Sequence, residues 1–548
     1  MQPEDEAYHA EIARGTFWGL IGSGIFKIIS FLNIIYVARM VTQNDVGLFY
    51  LAISIVGLFG AWKTFGLPAA LVRYIPYFES KRQGGKAKDL LRYTIIVNVI
   101  SGIFLSIALW MVADAVGAIY NNPGLPEALR LIAIYVFLDN LFSTATSYLQ
   151  SRSDIQACQT VSNAQALSKF GSNIVFFSVF GANLPSLCAS FVLSYVLSLF
   201  VSVWLIAKKP HPISENGGSL TITELVRDIV PFGAMLTIIG IIWALISYAD
   251  RVLLGYFAPP GQADALVAIY SLAVTLALNV MVFPGTVGNI FLPEISKLAG
   301  KNDLVGIRRA MATAQRWVLF ITIPFAVVMI AFAKEMLSTF YGAEYSSGWI
   351  AMSFFCVGMA FSSFVLVISL ALAGVRMVSL ELKIAFVTFV VNILLCVMLI
   401  PSFGMNGAAA ASMVSFAVYA ILLIYYGWKV LKFRIPIEAY KLFAAGVITC
   451  ALVFAFKPVF EIATAVLPVF AIPGIQPYIS KVEYLLLLGV ASSAAFVVFG
   501  TISLLAHCFE HEDIDVMRKA AKRIGMPQPL LSLAERIMIL GVSKQKGE

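Results

Sequence analysis

Residues 47–54 read "GLFYLAIS", and about 220 residues further on the chain reads "AIYSLAVT" (268–275), with Leu-Ala shared at 51–52 and 272–273. At nearly the same offset, and with a one-residue gap, "FGLPAALVRYIP" (65–76) lines up with "FPGTVGNIFLP" (283–293). "SNIVFF" (172–177) corresponds to "VNILLC" (391–396), and "FGAN" (180–183) to "FGMN" (403–406). One such match means little, because apolar helices resemble one another in composition. Four in the same order point to a duplicated unit.

What is duplicated is a set of membrane spans. The 548 residues are 60% hydrophobic and only 12% charged, with a mean hydropathy of +0.88. A soluble domain carries about 25% charged residues, so this chain could not cover its own surface. Apolar runs of about 20 residues recur along it. They give an all-α polytopic membrane protein of fourteen transmembrane helices, the second over 46–66. The expected organisation is a cytoplasmic segment at 1–14, a six-helix bundle at 15–207 and a cytoplasmic linker at 208–231. A second six-helix bundle at 232–429, two added helices within 430–506 and a cytoplasmic tail at 507–548 follow. The proline-broken stretch "PVFEIATAVLPVFAIPGIQPY" (458–478) reads as a loop on the outer membrane surface. An even number of spans per half makes the halves parallel repeats, an arrangement that in transporters puts substrate between them.

The connections after spans 2, 8 and 12 are rich in Lys and Arg, whereas "GANL" and "PSFGMN" have none. Basic loops stay cytoplasmic, so both termini are expected inside a plasma membrane. The net charge of +8 reflects that sidedness and gives no support for nucleic-acid binding. The polar, acidic amino end lacks a basic n-region, so the first span is expected to be retained. The six scattered cysteines have no C-x-x-C spacing, and no metal site is expected.

Within the spans, polar residues recur at helical spacing. The first span carries Ser23, Lys27, Ser30 and Asn33, the fourth Asp139, and the fifth Gln165, Lys169 and Asn173. The seventh carries Ser247 and Arg251 beside Asp250. A lysine at the centre of a membrane helix costs roughly 2.5–3.5 kcal/mol, so something must compensate Lys27. At a rise of about 1.5 Å per residue, Lys27 falls near the midplane, Lys169 nearer the cytoplasm and Arg251 nearer the outside. Three cations at successive depths suit an anionic passenger. The competing reading makes Lys27 or Lys169 a structural partner of Asp139, and Asp250–Arg251 an interfacial pair.

"IPSFGMNGAAAASMVSF" (400–416), "ADRVLLGYF" (249–257) and "GLFYLAIS…FGLPAALVRYIPYF", together with the 6+6+2 pattern, resemble the polysaccharide-transporter branch of the multidrug/oligosaccharidyl-lipid/polysaccharide (MOP) superfamily. The resemblance spans residues 12–506 and includes Wzx-type O-antigen flippases. It implies a V-shaped pair of bundles around a cationic cavity. The implied activity is translocation of polyprenyl-(pyro)phosphate-linked oligosaccharide from the cytoplasmic to the outer leaflet. No cofactor is expected, and coupling to an H+ or Na+ gradient or to the membrane potential stays open. The expected partners are the lipid-linked oligosaccharide, membrane lipids and glycan-assembly enzymes, with the protein itself a monomer. A cation-coupled drug exporter is the runner-up, with Asp139 and Asp250 as coupling residues. A membrane glycosyltransferase is a third class, but the one D-x-D, Asp513-Ile514-Asp515, falls in the tail. No P-loop is present to suggest ATP hydrolysis, and the resemblance singles out no catalytic residue.

Overall fold

A computed structural model describes residues 3–60, 62–208, 217–259, 261–301, 303–375, 377–466, 476–524 and 528–542. The elements run α1 (Pro3–Met40), α2 (Gln43–Gly60), α3 (Leu67–Ser80), α4 (Gly84–Ile119), α5 (Leu125–Ser151), α6 (Ile155–Phe180) and α7 (Leu184–Lys208). The short α8 (Ile222–Glu224) leads through a π-turn into α9 (Val230–Phe257), followed by α10 (Ala263–Ala277), α11 (Val282–Gly300), α12 (Leu304–Ala331) and α13 (Ala333–Phe340). Then come α14 (Trp349–Gly374), α15 (Val378–Leu431), α16 (Ile437–Val466), α17 (Gln476–Leu505), α18 (His511–Ile524) and α19 (Gln528–Leu540). Part of the stretch expected as an outer loop, 467–475, lies outside the described residues.

Large apolar side chains stand exposed along these helices. Phe104 is 68% exposed, Phe200 70% and Met398 71%. Contiguous apolar surface of that kind is stable only against lipid, which makes this a multi-pass membrane protein. Twelve helices among the described residues are long and apolar enough to cross a membrane. The fourteen read from the sequence are not reached by that measure, and two places account for the difference. The α6 helix carries Gln156, Gln159, Asn163, Gln165, Lys169 and Asn173, which lower its hydropathy. The 54-residue α15 is two helices meeting at Gly404, whose φ of 54° and ψ of −132° no helix accommodates.

The chain divides into two compact units, Met1–Ser271 with Ile400–Met405, and Leu272–Leu399 with Asn406–Glu548. The division falls inside α10, not in the 208–231 linker, because α9 packs on α2 and α3 of the first unit. In that unit α4 lies along α5, α5 along α7, and α6 between α1 and α7. Ser186, Ser190, Ser194, Ser198 and Ser202 form a buried stripe on α7 at a spacing of four. Small side chains let membrane helices approach closely, and most of these hydroxyls satisfy themselves on carbonyls of their own helix.

The second span departs most from expectation. It was read as one helix over 46–66, but α2 stops at Gly60 and the helix resumes as α3 at Leu67. Both pieces pack on α4, α5 and α9, so α3 continues the span. Phe65 (φ 48°) and Gly66 (φ 69°) turn through the left-handed region, and Pro68 opens the second piece. The turn presses on α9: a Cβ on Gly66 would lie 1.9 Å from the carbonyl oxygen of Gly233. Ser101 donates to the freed carbonyl of Lys63 at 2.8 Å, and Trp62 Nε1 to that of Phe59 at 2.7 Å. A broken membrane helix is tolerated where its loose backbone groups are satisfied in this way.

In the second unit α12 is the hub, touching α11, α14, α16 and α17. The tail helices are tied to it. Arg316, 1% exposed, donates to Asp513 at 2.8 Å and pairs with Glu510 at 3.0 Å. Asp513, the first residue of the D-x-D, is itself 0% exposed.

Candidate functional site

The interior of the first unit holds the charged groups singled out from the sequence. Ser23 Oγ donates to Gln159 Oε1 at 3.5 Å, and Asn173 Nδ2 to Asn33 Oδ1 at 2.7 Å, at sequence separations of 136 and 140. Such similar offsets mean that α1 and α6 run parallel. Tyr36 confirms the register, stacking on Phe177 and meeting Phe170 edge-on. Lys169 is therefore level with the Ser30–Asn33 turn of α1, about 6 Å beyond Lys27 along the helices. The depth order expected for these two lysines is reversed, because α6 begins at Ile155, six residues before the expected start of its span.

Neither lysine has a carboxylate partner among the described residues. Lys27 is exposed, and the Lys169 ammonium sits 4.7 Å from the centre of the Phe191 ring. Such a contact contributes roughly 0.5–2 kcal/mol and leaves the charge uncancelled. The structural alternative, pairing of Lys27 or Lys169 with Asp139, does not occur. Asp139 is taken by Lys63, at the break between α2 and α3. Both side chains of that pair are largely buried, at 15% and 22% exposure. Lys63 also lies 5.5 Å from the Tyr135 ring. Tyr135 contacts Phe191 and Tyr195, so the ion pair and Lys169 flank one aromatic cluster.

The remaining sequence candidates divide into two groups. Asn33 and Asn173 are buried and occupied with each other, and Ser190 donates to Asn173 as well. Ser23, Ser30 and Gln165 stay partly open near the two lysines, while Ser247 is exposed on α9. Arg251 is 9% exposed; its guanidinium donates to the Ser247 carbonyl at 2.9 Å, while Nε has no partner. Asp250 caps the Arg251 backbone at 2.8 Å and accepts from the Tyr270 hydroxyl. The two form no side-chain ion pair among the described contacts.

Sequence reasoning missed Lys63. Its charge falls where the second span was expected to end, and ends of spans commonly carry lysines that reach the interface. The available signal was "GLP" at 66–68, a helix-start pattern inside an otherwise continuous apolar run.

Residues 12–299 match the polysaccharide biosynthesis protein family, just over half of the chain. The chain belongs to that family. This polysaccharide biosynthesis protein is 24% identical over 443 residues to the uncharacterized membrane protein MJ1068 of Methanocaldococcus jannaschii, covering 78% of the chain and 86% of the relative. It is 21% identical over 416 residues to the probable low-salt glycan biosynthesis flippase Agl15 of Haloferax volcanii, covering 76% and 83%. Its fold is shared with the lipid II flippase MurJ in an inward closed conformation. The TM-score is 0.68 at 14% identity, over 88% of this chain and 98% of that one. The polysaccharide-transporter resemblance drawn from the sequence is thereby established at the level of the family, and the fold is one shared with a MATE transporter of the MOP superfamily, at a TM-score of 0.65 and 14% identity.

Proposed function

We propose that this protein is a flippase that carries a polyprenyl-(pyro)phosphate-linked oligosaccharide from the cytoplasmic to the outer leaflet by alternating access through a cationic cavity. One observation carries the reading. Lys27 and Lys169 lie about a turn apart on two parallel helices, with no carboxylate partner among the described residues, while Asp139, the acid expected to neutralise them, is held by Lys63. Unneutralised ammonium groups in apolar surroundings are expensive. Retained without a partner, they suit a passenger that brings the negative charge itself. A phosphate-linked head group does so, and dispersed cations let it leave again. Ser23, Ser30 and Gln165 can accept and donate to sugar hydroxyls beside them.

In this reading the termini are cytoplasmic, the protein works in the plasma membrane, and it performs transport without chemical change to its substrate. The name of the Agl15 relative and the family support a glycan passenger. Exporters of cations need open acidic groups, and here Asp139 and Asp250 are both engaged.

The test is the sidedness of lipid-linked oligosaccharide in cells depleted of the protein. Accumulation on the cytoplasmic leaflet, reversed by the wild type but not by folded Lys27→Ala or Lys169→Ala, is the expected result. An unchanged distribution in cells lacking any second flippase rejects the reading.

A further inference from the structure

At the C-terminal end of α12 the chain turns at Phe332 into α13, passes through a 3-10 segment (Ala343–Gly348) and enters α14 at Trp349. The α16 and α17 helices pack alongside. These elements enclose a cleft of about 390 Å³, lined among others by Lys334, Glu335, Trp349, Lys457 and Tyr484. The volume lies within the roughly 300–1,000 Å³ of small-molecule sites. All of these residues belong to the second unit, whereas the lysines of the proposed transport site belong to the first.

The cleft is built around Lys457. Its ammonium donates to Glu335 Oε1 at 2.9 Å and to the Ala331 carbonyl at 3.0 Å. An ammonium has three donors, so one remains. The side chain is 20% exposed and Glu335 only 11%, so the group is fixed in place, unlike a lysine reaching freely for water. Glu335 cancels one positive charge. Lys334, exposed at the same cleft and without a carboxylate partner among the described residues, supplies another. The cleft therefore keeps a net positive charge with one ammonium pre-oriented. Its other walls are flat: Trp349, 41% exposed, and Tyr484. Aromatic faces pair an apolar surface with a polar tip and suit ligands that are wet on one side and apolar on the other.

We propose that this cleft binds a phosphorylated polyhydroxyl head group, with the phosphate on Lys334 and Lys457 and the polyol face against Trp349. The chemistry is shared by a sugar phosphate and by the glycerophosphate head of a membrane lipid. The inference stands on the cleft alone and holds whether or not the transport reading does.

The full-length protein in phosphatidylcholine nanodiscs, titrated calorimetrically with glucose 1-phosphate and separately with glycerol 1-phosphate, provides the test. Saturable binding is expected, weakened at least tenfold in Lys334→Gln and in Trp349→Ala, both exposed positions, with unfolding temperatures unchanged. It should persist in Lys169→Met, which separates this site from the transport site. Tighter binding of glucose 1-phosphate assigns the cleft to a sugar phosphate, and equal or tighter binding of glycerol 1-phosphate to a lipid head. Saturation by neither probe, or affinity untouched by Lys334→Gln, overturns the proposal.

Discussion

In the first unit Lys27 and Lys169 have no carboxylate partner among the described residues, whereas in the second the buried Arg316 and the partly buried Lys457 are each held by acids. Arg316 takes Asp513 and Glu510, and Lys457 takes Glu335. The first unit holds both kinds, since Lys63 is matched to Asp139 within the same bundle. A matched charge in a bundle fastens helices together. An unmatched one leaves its charge uncancelled at a cost, so its presence asks for a ligand.

That contrast can be broken by removing cations one at a time. The largest effect is expected at Arg316→Met, which strands the buried Asp513 carboxylate. Removing one partner of a buried pair costs about 3–5 kcal/mol. Thermal unfolding and protease release of the tail should both report it, and the double variant Arg316→Met/Asp513→Leu should recover most of the loss. A smaller effect is expected for Lys63→Ala. The pair is partly open, so coupling to Asp139→Ala in a double-mutant cycle of unfolding should fall at about 0.5–3 kcal/mol. Additivity of the two changes would mean that the contact contributes nothing. The smallest is Lys169→Met, which removes a charge with no carboxylate to abandon. Its unfolding free energy should change by no more than the roughly 0.5–2 kcal/mol of the lost Phe191 contact. A loss as large as that at Arg316 would erase the distinction and make Lys169 structural.

The architecture was legible because the bilayer imposes a coarse rule. Twenty apolar residues make a span, so an all-helical membrane protein can be read from the runs alone. The polar stripe containing Lys27 and Lys169 was legible for the same reason, since helical spacing survives in one dimension. Partners were not. Lys63 and Asp139 are 76 residues apart, and Arg316 and Asp513 are 197 apart. Nothing local records such pairings. Thus Asp139 was offered the wrong lysines, and Asp513 was read only as part of a glycosyltransferase-like D-x-D. The serine stripe on α7 was visible at its spacing of four, but it could not be told from a cavity lining without knowing which face is buried. Asn33 and Asn173 illustrate the same ambiguity from the other side. Read as lining, they prove to be a bolt between α1 and α6.

The break between α2 and α3 makes the second span a jointed rod. With 18 residues, α2 is a lever about 27 Å long, taking ~1.5 Å per residue. A tilt of about ten degrees at the joint sweeps its far end by about 5 Å, with every hydrogen bond inside both arms left intact. Lys63 sits on the pivot and its acid on a neighbouring strut, so the ion pair acts as the set screw of that joint. Gly66, wedged against Gly233, is the bearing surface, and no bulkier residue fits there.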